Sequence, residues 1–212
     1  AAEAQNLFCY DLQKQTLRNY ILTDHPLVST NVKCLTVDNS GTIWIGFYGD
    51  GLFYSKDELK TLHPYISPID NEETYNNDVV SEILPGAYNC LYIGSLKGGV
   101  KELNLTSGKL RDLLLKDEDN ESIYCRTLLF ATDNELWIGT ESGAYIYNLR
   151  TGKYTHLRSS EYDPYSLSDN AIYSFCKDRE DGIWIGSYFG GVNYYPRSYT
   201  HFEKYYPKGE EN

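Results

Sequence analysis

Four copies of one aromatic strand motif, 21 tyrosines in 212 residues, and turn signals at matching intervals predict an all-β chain of β-propeller blades. The motif reads IWIGFYGDGLFY at 43–54, LYIGSLKGGVKEL at 91–103, LWIGTESGAYIY at 136–147 and IWIGSYFGGVNYY at 183–195. Its anchoring aromatics, Trp44, Tyr92, Trp137 and Trp184, stand 48, 45 and 47 residues apart. That interval matches the ~40–50 residues of a blade made of four antiparallel strands.

Each element of the blade has its own signal. The first strand carries an apolar pair twelve and nine residues before the anchor: Val32 and Leu35, Val80 and Ile83, Cys125 and Leu128, Ile172 and Phe175. Tight turns rich in Asx and Gly follow, such as Asp38-Asn39-Ser40-Gly41 and Asp178 to Gly182, where positive φ is tolerated. The second strand holds the anchor, and Gly46, Gly94, Gly139 and Gly186 stand two residues beyond it. A missing side chain at a fixed strand position indicates close backbone approach. The third strand is aromatic, as in Phe53-Tyr54, Tyr145-Tyr147 and Tyr194-Tyr195. The fourth is placed near Tyr65, Leu113, Tyr154 to Leu157, and Phe202 to Tyr205.

These signals divide the chain into the outer strands of a preceding blade at 1–22, blades near 25–70, 74–115, 120–158 and 166–206, and a tail at 207–212. About four and a half blades are expected to be an arc of a larger ring of seven rather than a closed ring of five. One twisted sheet cannot bury both of its faces, so blades stack and the anchors wedge between them. An arc keeps exposed faces, and these are expected to meet the remaining blades of the ring or a second copy of the chain. The chain has no Met, which points to a segment of a longer protein.

Composition excludes several functions. Thirty Asp and Glu against 19 Lys and Arg give a net charge of −11, unsuited to gripping nucleic-acid phosphates. No apolar run approaches the ~20 residues of a membrane-spanning helix. Cys9, Cys34, Cys90, Cys125 and Cys176 form no C-x-x-C pair, and their odd number argues against a complete disulfide framework. No metal or other cofactor is expected. His25, His63, His156 and His201 lie far apart, and no local motif assembles a catalytic triad or a carboxylate pair.

The four units resemble the two-component regulator propeller repeat, whose pattern runs S-L-S-x-N-x-V-x-x-I-x-x-D-x-x-G-x-L-W-I-G-T-x-x-G-L-x-x-Y. The fourth blade matches through Ser166-Leu167-Ser168-Asp169-Asn170, Ile172, Phe175, Asp178, Gly182 and Ile183 to Gly186. The first matches through Asn31-Val32, Leu35, Asp38, Gly41 and Ile43 to Gly46. The third has Ala131 in place of the usual Asp, and the second has Gly86 there and Tyr92 in place of Trp. The resemblance implies a sensor segment in the periplasmic part of a hybrid two-component system of Bacteroides-type gut bacteria. The resemblance further implies that the segment is non-catalytic, is involved in detecting oligosaccharides, as several proteins of this kind are, and signals to a histidine kinase elsewhere in the protein. The alternatives are a propeller lyase or lactonase, which needs a metal or a catalytic His facing the channel, and a platform for protein–protein contact or dimerisation.

Candidate ligand-binding residues lie in two places. Loops between the second and third strands vary while the frame repeats, and such loops are where recognition sits. They offer Tyr48 and Asp50, Lys97, Glu141, and Tyr188 with Phe189. Aromatic faces suit the C–H surface of a sugar ring, and Lys97 and Glu141 suit its hydroxyls; ordinary loop packing accounts for the same residues. The first strands carry Lys33, Glu82, Arg126 and Tyr173 ten or eleven positions before the anchors. These either line the channel and touch a ligand or stand there solvated.

Overall fold

The computed structural model describes residues 2–3, 6–21, 31–66 and 78–197. All of its regular structure is β, in five antiparallel sheets that follow one another along the chain. The first holds β1 (Ala2–Glu3), β2 (Asn6–Asp11) and β3 (Thr16–Ile21). The second holds β4 (Val32–Val37), β5 (Ile43–Phe47), β6 (Leu52–Ser55) and β7 (His63–Pro64). The third runs through β8 (Val80–Pro85), β9 (Cys90–Ser95), β10 (Gly99–Asn104) and β11 (Leu110–Leu114). The fourth runs through β12 (Cys125–Thr132), β13 (Glu135–Thr140), β14 (Gly143–Asn148) and β15 (Tyr154–Leu157). The fifth shows β16 (Ile172–Lys177), β17 (Ile183–Ser187) and β18 (Val192–Tyr195). The strand expected at 202–205, the tail at 207–212, and His25 and His201 lie outside the described residues.

Within each sheet the strands pair in chain order, which is the up-and-down meander of a propeller blade. The inner strands β4, β8, β12 and β16 lie beside one another. Cores form between sheets rather than inside them. Trp44 packs in one cluster with Ile83, Leu91, Ile93 and Leu103 of the next sheet. Tyr92 joins Cys125, Leu128, Leu136 and Ile138, and Trp137 joins Ile172, Ile183 and Ile185.

At three of the glycines two residues beyond the anchors, Gly46, Gly94 and Gly139, adjacent sheets touch. A Cβ on Gly46 would lie 2.7 Å from Val80 Cγ1, and one on Gly139 would lie 2.9 Å from Ile172 Cγ2. Both contacts cross to the next inner strand, so a side chain there would force the sheets apart.

The inner strands share an irregularity that periodicity does not predict. Their pairing with the second strand shifts between Val32 and Cys34, Val80 and Glu82, Cys125 and Thr127, and Ile172 and Ser174. One extra residue stands at the same place in each: Lys33, Ser81, Arg126 and Tyr173. Such bulges re-aim a side chain away from the alternating pattern. The register corrects one sequence assignment. Ser81, not Glu82, is the counterpart of Lys33, Arg126 and Tyr173, and its hydroxyl donates to the Cys125 carbonyl at 2.7 Å.

Candidate functional site

The bulges stand at the end of the sheets where β5 meets β6, β9 meets β10, β13 meets β14 and β17 meets β18. At that end the structure draws together five of the candidate residues, Arg126, Glu141, Tyr173, Tyr188 and Phe189. Arg126, projecting from the bulge of β12, pairs through its guanidinium with the Glu141 carboxylate in the β13–β14 loop. The same guanidinium lies 4.9 Å from the centroid of the Tyr173 ring, over its face. Tyr173 stacks on Tyr188 at 5.1 Å, with 28° between the ring planes. Tyr188 meets Phe189 edge-on at 4.3 Å. A charged pair therefore continues into three aromatic rings across the junction of the fourth and fifth sheets. Tyr188 is 59% exposed and Phe189 87% exposed, so most of this surface is presented outward.

The loop that carries Tyr188 and Phe189 is fixed from below. The Asp169 carboxylate accepts the Phe189 N–H at 2.9 Å, and the Tyr188 N–H donates to the Ala171 carbonyl at 2.9 Å. Backbone N–H donors, Phe189's first and then Ala171's, hold the Asp169 carboxyl below its ordinary pKa. Asn193 accepts the Ser168 N–H and donates to the Ser168 hydroxyl, both at 3.0 Å. Gly190 is needed here because a Cβ would lie 2.7 Å from the Ser168 carbonyl carbon. The Ser-Leu-Ser-Asp-Asn segment thus ties the strand entering the sheet to the loop that displays the aromatics. Asp169 and Asn193 were not among the sequence candidates. The signal was present in the position of Ser168-Asp169-Asn170 before a strand, where Ser and Asx side chains bond nearby backbone.

The remaining candidates lie elsewhere along the arc. Tyr48, 58% exposed, and Asp50 occupy the β5–β6 loop, and the Tyr48 N–H donates to Asn31. Lys97 stands in the β9–β10 loop. Its N–H and that of Gly98 donate to the buried Asp78 carboxylate, each at 3.0 Å. Lys33 is exposed on the bulge of β4. Its charge tempers the pKa of Glu82, which burial pushes upward. Among the described residues, no group of three or more His, Cys, Asp or Glu side chains is arranged to hold a metal ion. His156 is held in place, stacked on Tyr145 at 3.8 Å and bonded to the Ser142 carbonyl and to Glu118.

The anchors show how one role is filled by different residues. The Trp44 indole N–H donates to Asp38 at 2.9 Å, and that of Trp184 to Asp178 at 3.2 Å. Ala131 replaces the Asp in the fourth sheet, and Trp137 turns instead to Glu135 at 2.9 Å. Tyr92 hydrogen-bonds Glu102 on β10.

Sheets, anchors and turns together make this chain an array of propeller blades. Two segments, residues 26–49 and 166–189, match the two-component regulator propeller family, so these two segments carry its repeat. The fold is shared with the extracellular domain of the putative hybrid two-component system BT4673 of B. thetaiotaomicron, at 20% identity and a TM-score of 0.74. That likeness covers 92% of this chain and 25% of that one. The corresponding domain of BT3049 from the same organism matches at 21% identity and a TM-score of 0.50, over 88% of this chain and 30% of that one. PorZ, a surface component of the type-IX secretion system of Porphyromonas gingivalis, matches at 15% identity and a TM-score of 0.67, over 92% of this chain and 29% of that one. The chain spans about a quarter of the first of these neighbours. No curated protein matches it in sequence.

Proposed function

We propose that this chain is a non-catalytic, ligand-recognising segment of a periplasmic sensor ectodomain, and that it binds an oligosaccharide and signals to a kinase outside these residues. The single observation behind the reading is the continuous surface from Glu141 and Arg126 through Tyr173 and Tyr188 to Phe189. Exposed rings offer flat apolar area to the C–H face of a sugar, and the adjoining charged pair offers planar donors and acceptors to its hydroxyls. The same surface bridges two blades, so a ligand that spans it couples their relative placement. The extracellular setting of the two B. thetaiotaomicron neighbours supports the compartment.

Calorimetric titration of the purified chain against a panel of neutral and acidic oligosaccharides tests the reading. A saturable ligand is expected, with Tyr188→Ala and Phe189→Ala each weakening it about tenfold, as befits loss of one exposed aromatic contact. Both residues are exposed, so neither change should lower the melting temperature by more than a degree or two. Silence across the panel, or binding indifferent to both variants, overturns the assignment.

A further inference from the structure

A second site lies at the opposite end of the same sheets. Grooves open between consecutive sheets beside the anchors, on the side of the turns that join the first strand to the second. The groove after the second sheet has a volume of about 510 Å³ and is lined by Asp38, Trp44 and Tyr54. The groove after the fourth is about 360 Å³ and is lined by Glu135 and Trp137. The groove between the third and fourth sheets is larger than either of these, about 740 Å³. It lies where the repeat departs most from its own pattern, with Gly86 and Tyr92 in place of Asp and Trp. The two changes are linked, because a Cβ on Gly86 would stand 2.4 Å from the Tyr92 ring.

The enlarged groove is rich in donors. The Arg111 guanidinium pairs with Glu102 at 2.5 Å through one nitrogen, leaving further N–H groups. Arg150 also lines the groove, and its backbone N–H donates to the Asn148 side chain at 3.1 Å. Glu102 already receives Arg111 and Tyr92, so its oxygens are largely engaged. Asp133 stands on the rim as a remaining acceptor, and Tyr92 and Phe130 supply ring surface.

The rim carries an independent mark. Tyr88 and Asn89 are both left-handed, at φ 56° and 57°, in a turn closed by the Cys90 N–H on the Ala87 carbonyl. Asn suits that geometry, whereas a bulky Tyr does not. Tyr88 is 93% exposed, so its ring gains no burial to offset the strain. A strained, solvent-facing aromatic beside a cavity is the kind of feature that ligand sites retain.

We infer that this groove binds a small hydroxylated ring compound bearing a carboxylate. The guanidinium groups of Arg150 and Arg111 take the carboxylate, Asp133 takes a hydroxyl, and Tyr88 closes over the ring. Amide chemical-shift titration of the intact chain tests it, with glucuronate as probe, glucose as its uncharged counterpart and acetate as the bare oxyanion. Saturable shifts confined to residues 85–92, 102–111, 130–134 and 149–150 are expected with glucuronate, at least tenfold weaker with glucose or acetate. Arg150→Gln and Tyr88→Asn should each weaken glucuronate by about tenfold. Tyr88→Asn should also keep or raise the melting temperature, since Asn suits the turn better. Equal responses to acetate, shifts located elsewhere, or binding unchanged in both variants overturn the site. Failure here leaves the aromatic surface at the other end untouched, because Tyr188 and Phe189 take no part in it.

Discussion

Glu82 brings a carboxylate into a partly buried position on β8. Burial raises its pKa above the ordinary 4.5, partly offset by the Ile83 N–H and the Lys33 charge. The folded chain therefore holds that proton at a pH where the unfolded chain has released it. Stability from this group is complete below the unfolded pKa and is lost as pH rises through the folded one. Glu82→Gln removes the ionisation, so its melting temperature should exceed that of the parent at pH 7 and converge with it below about pH 4. Thermal melts across that range check it, and a variant destabilised equally at every pH would refute it. Asp38 has the opposite sign. Burial raises its pKa, but hydrogen bonds from Ser40, Trp44 and Thr42 together outweigh burial and hold it low. Its contribution is present at neutral pH and is lost as acid protonates it, so Asp38→Asn should cost stability at pH 7 and progressively less as the pH falls below the ordinary 3.8. At this scale the sequence was only partly legible. Arg126, Glu141, Tyr173, Tyr188 and Phe189 were each selectable by chemistry and loop position. Their convergence depended on a bulge that leaves no mark in the residue pattern, and the same bulge moved the blade-two position from Glu82 to Ser81.

Among the strands, the anchor and the glycine after it decide how sheets join. Trp137 is 1% exposed, and Gly139 directly faces Ile172 and Phe175 of the following sheet. Gly139→Ala should destabilise by about 1–3 kcal/mol, the range for overpacking a filled core. The same substitution at Gly186 should cost much less, because its added Cβ meets chiefly the rotatable Ser174 hydroxyl of its own sheet. Denaturant unfolding of the two variants compares them, and equal losses would show that the glycines serve the strand rather than the joint. The spacing of glycine from anchor was readable because a four-fold repeat exposes any position that never varies. The carboxylate partner of the anchor was not. It comes from the turn in Asp38 and Asp178, from the anchor's own strand in Glu135, and from the next strand in Glu102. Only the requirement for an acceptor repeats, and three-dimensional neighbours meet it from different places in the sequence.

Across the whole array, the described residues leave apolar surface open on the fifth sheet and along the inner strand of the second, where Leu7 of the first sheet covers Ile45 and Phe47 but not Leu35. Trp184 is 45% exposed, against 4% for Trp44 and 1% for Trp137, and Tyr194 and Val192 beside it are 44% and 66% exposed. On the first four-stranded sheet, Leu35 and Val37 are 40% and 56% exposed, whereas Ile83, the counterpart of Leu35, is 3% exposed. Inside the array these surfaces are partners, since the Trp44 face packs against Ile83 and Leu91. The open Trp184 face therefore suits the exposed Leu35 and Val37 strip of a second copy, beside its first sheet, a head-to-tail contact that leaves one such surface free at each end of the dimer and can extend. Sedimentation velocity of the isolated chain should show association that grows with concentration. Trp184→Lys or Leu35→Lys alone should each give monomers, because each removes one half of the joint. Mixing the two variants should restore dimers and nothing larger, since Trp184→Lys still offers its Leu35 face and Leu35→Lys its Trp184 face. A parent chain that stays monomeric throughout would mean that these faces are reserved for blades outside this segment. Dimers in either variant alone would mean that copies meet through another surface.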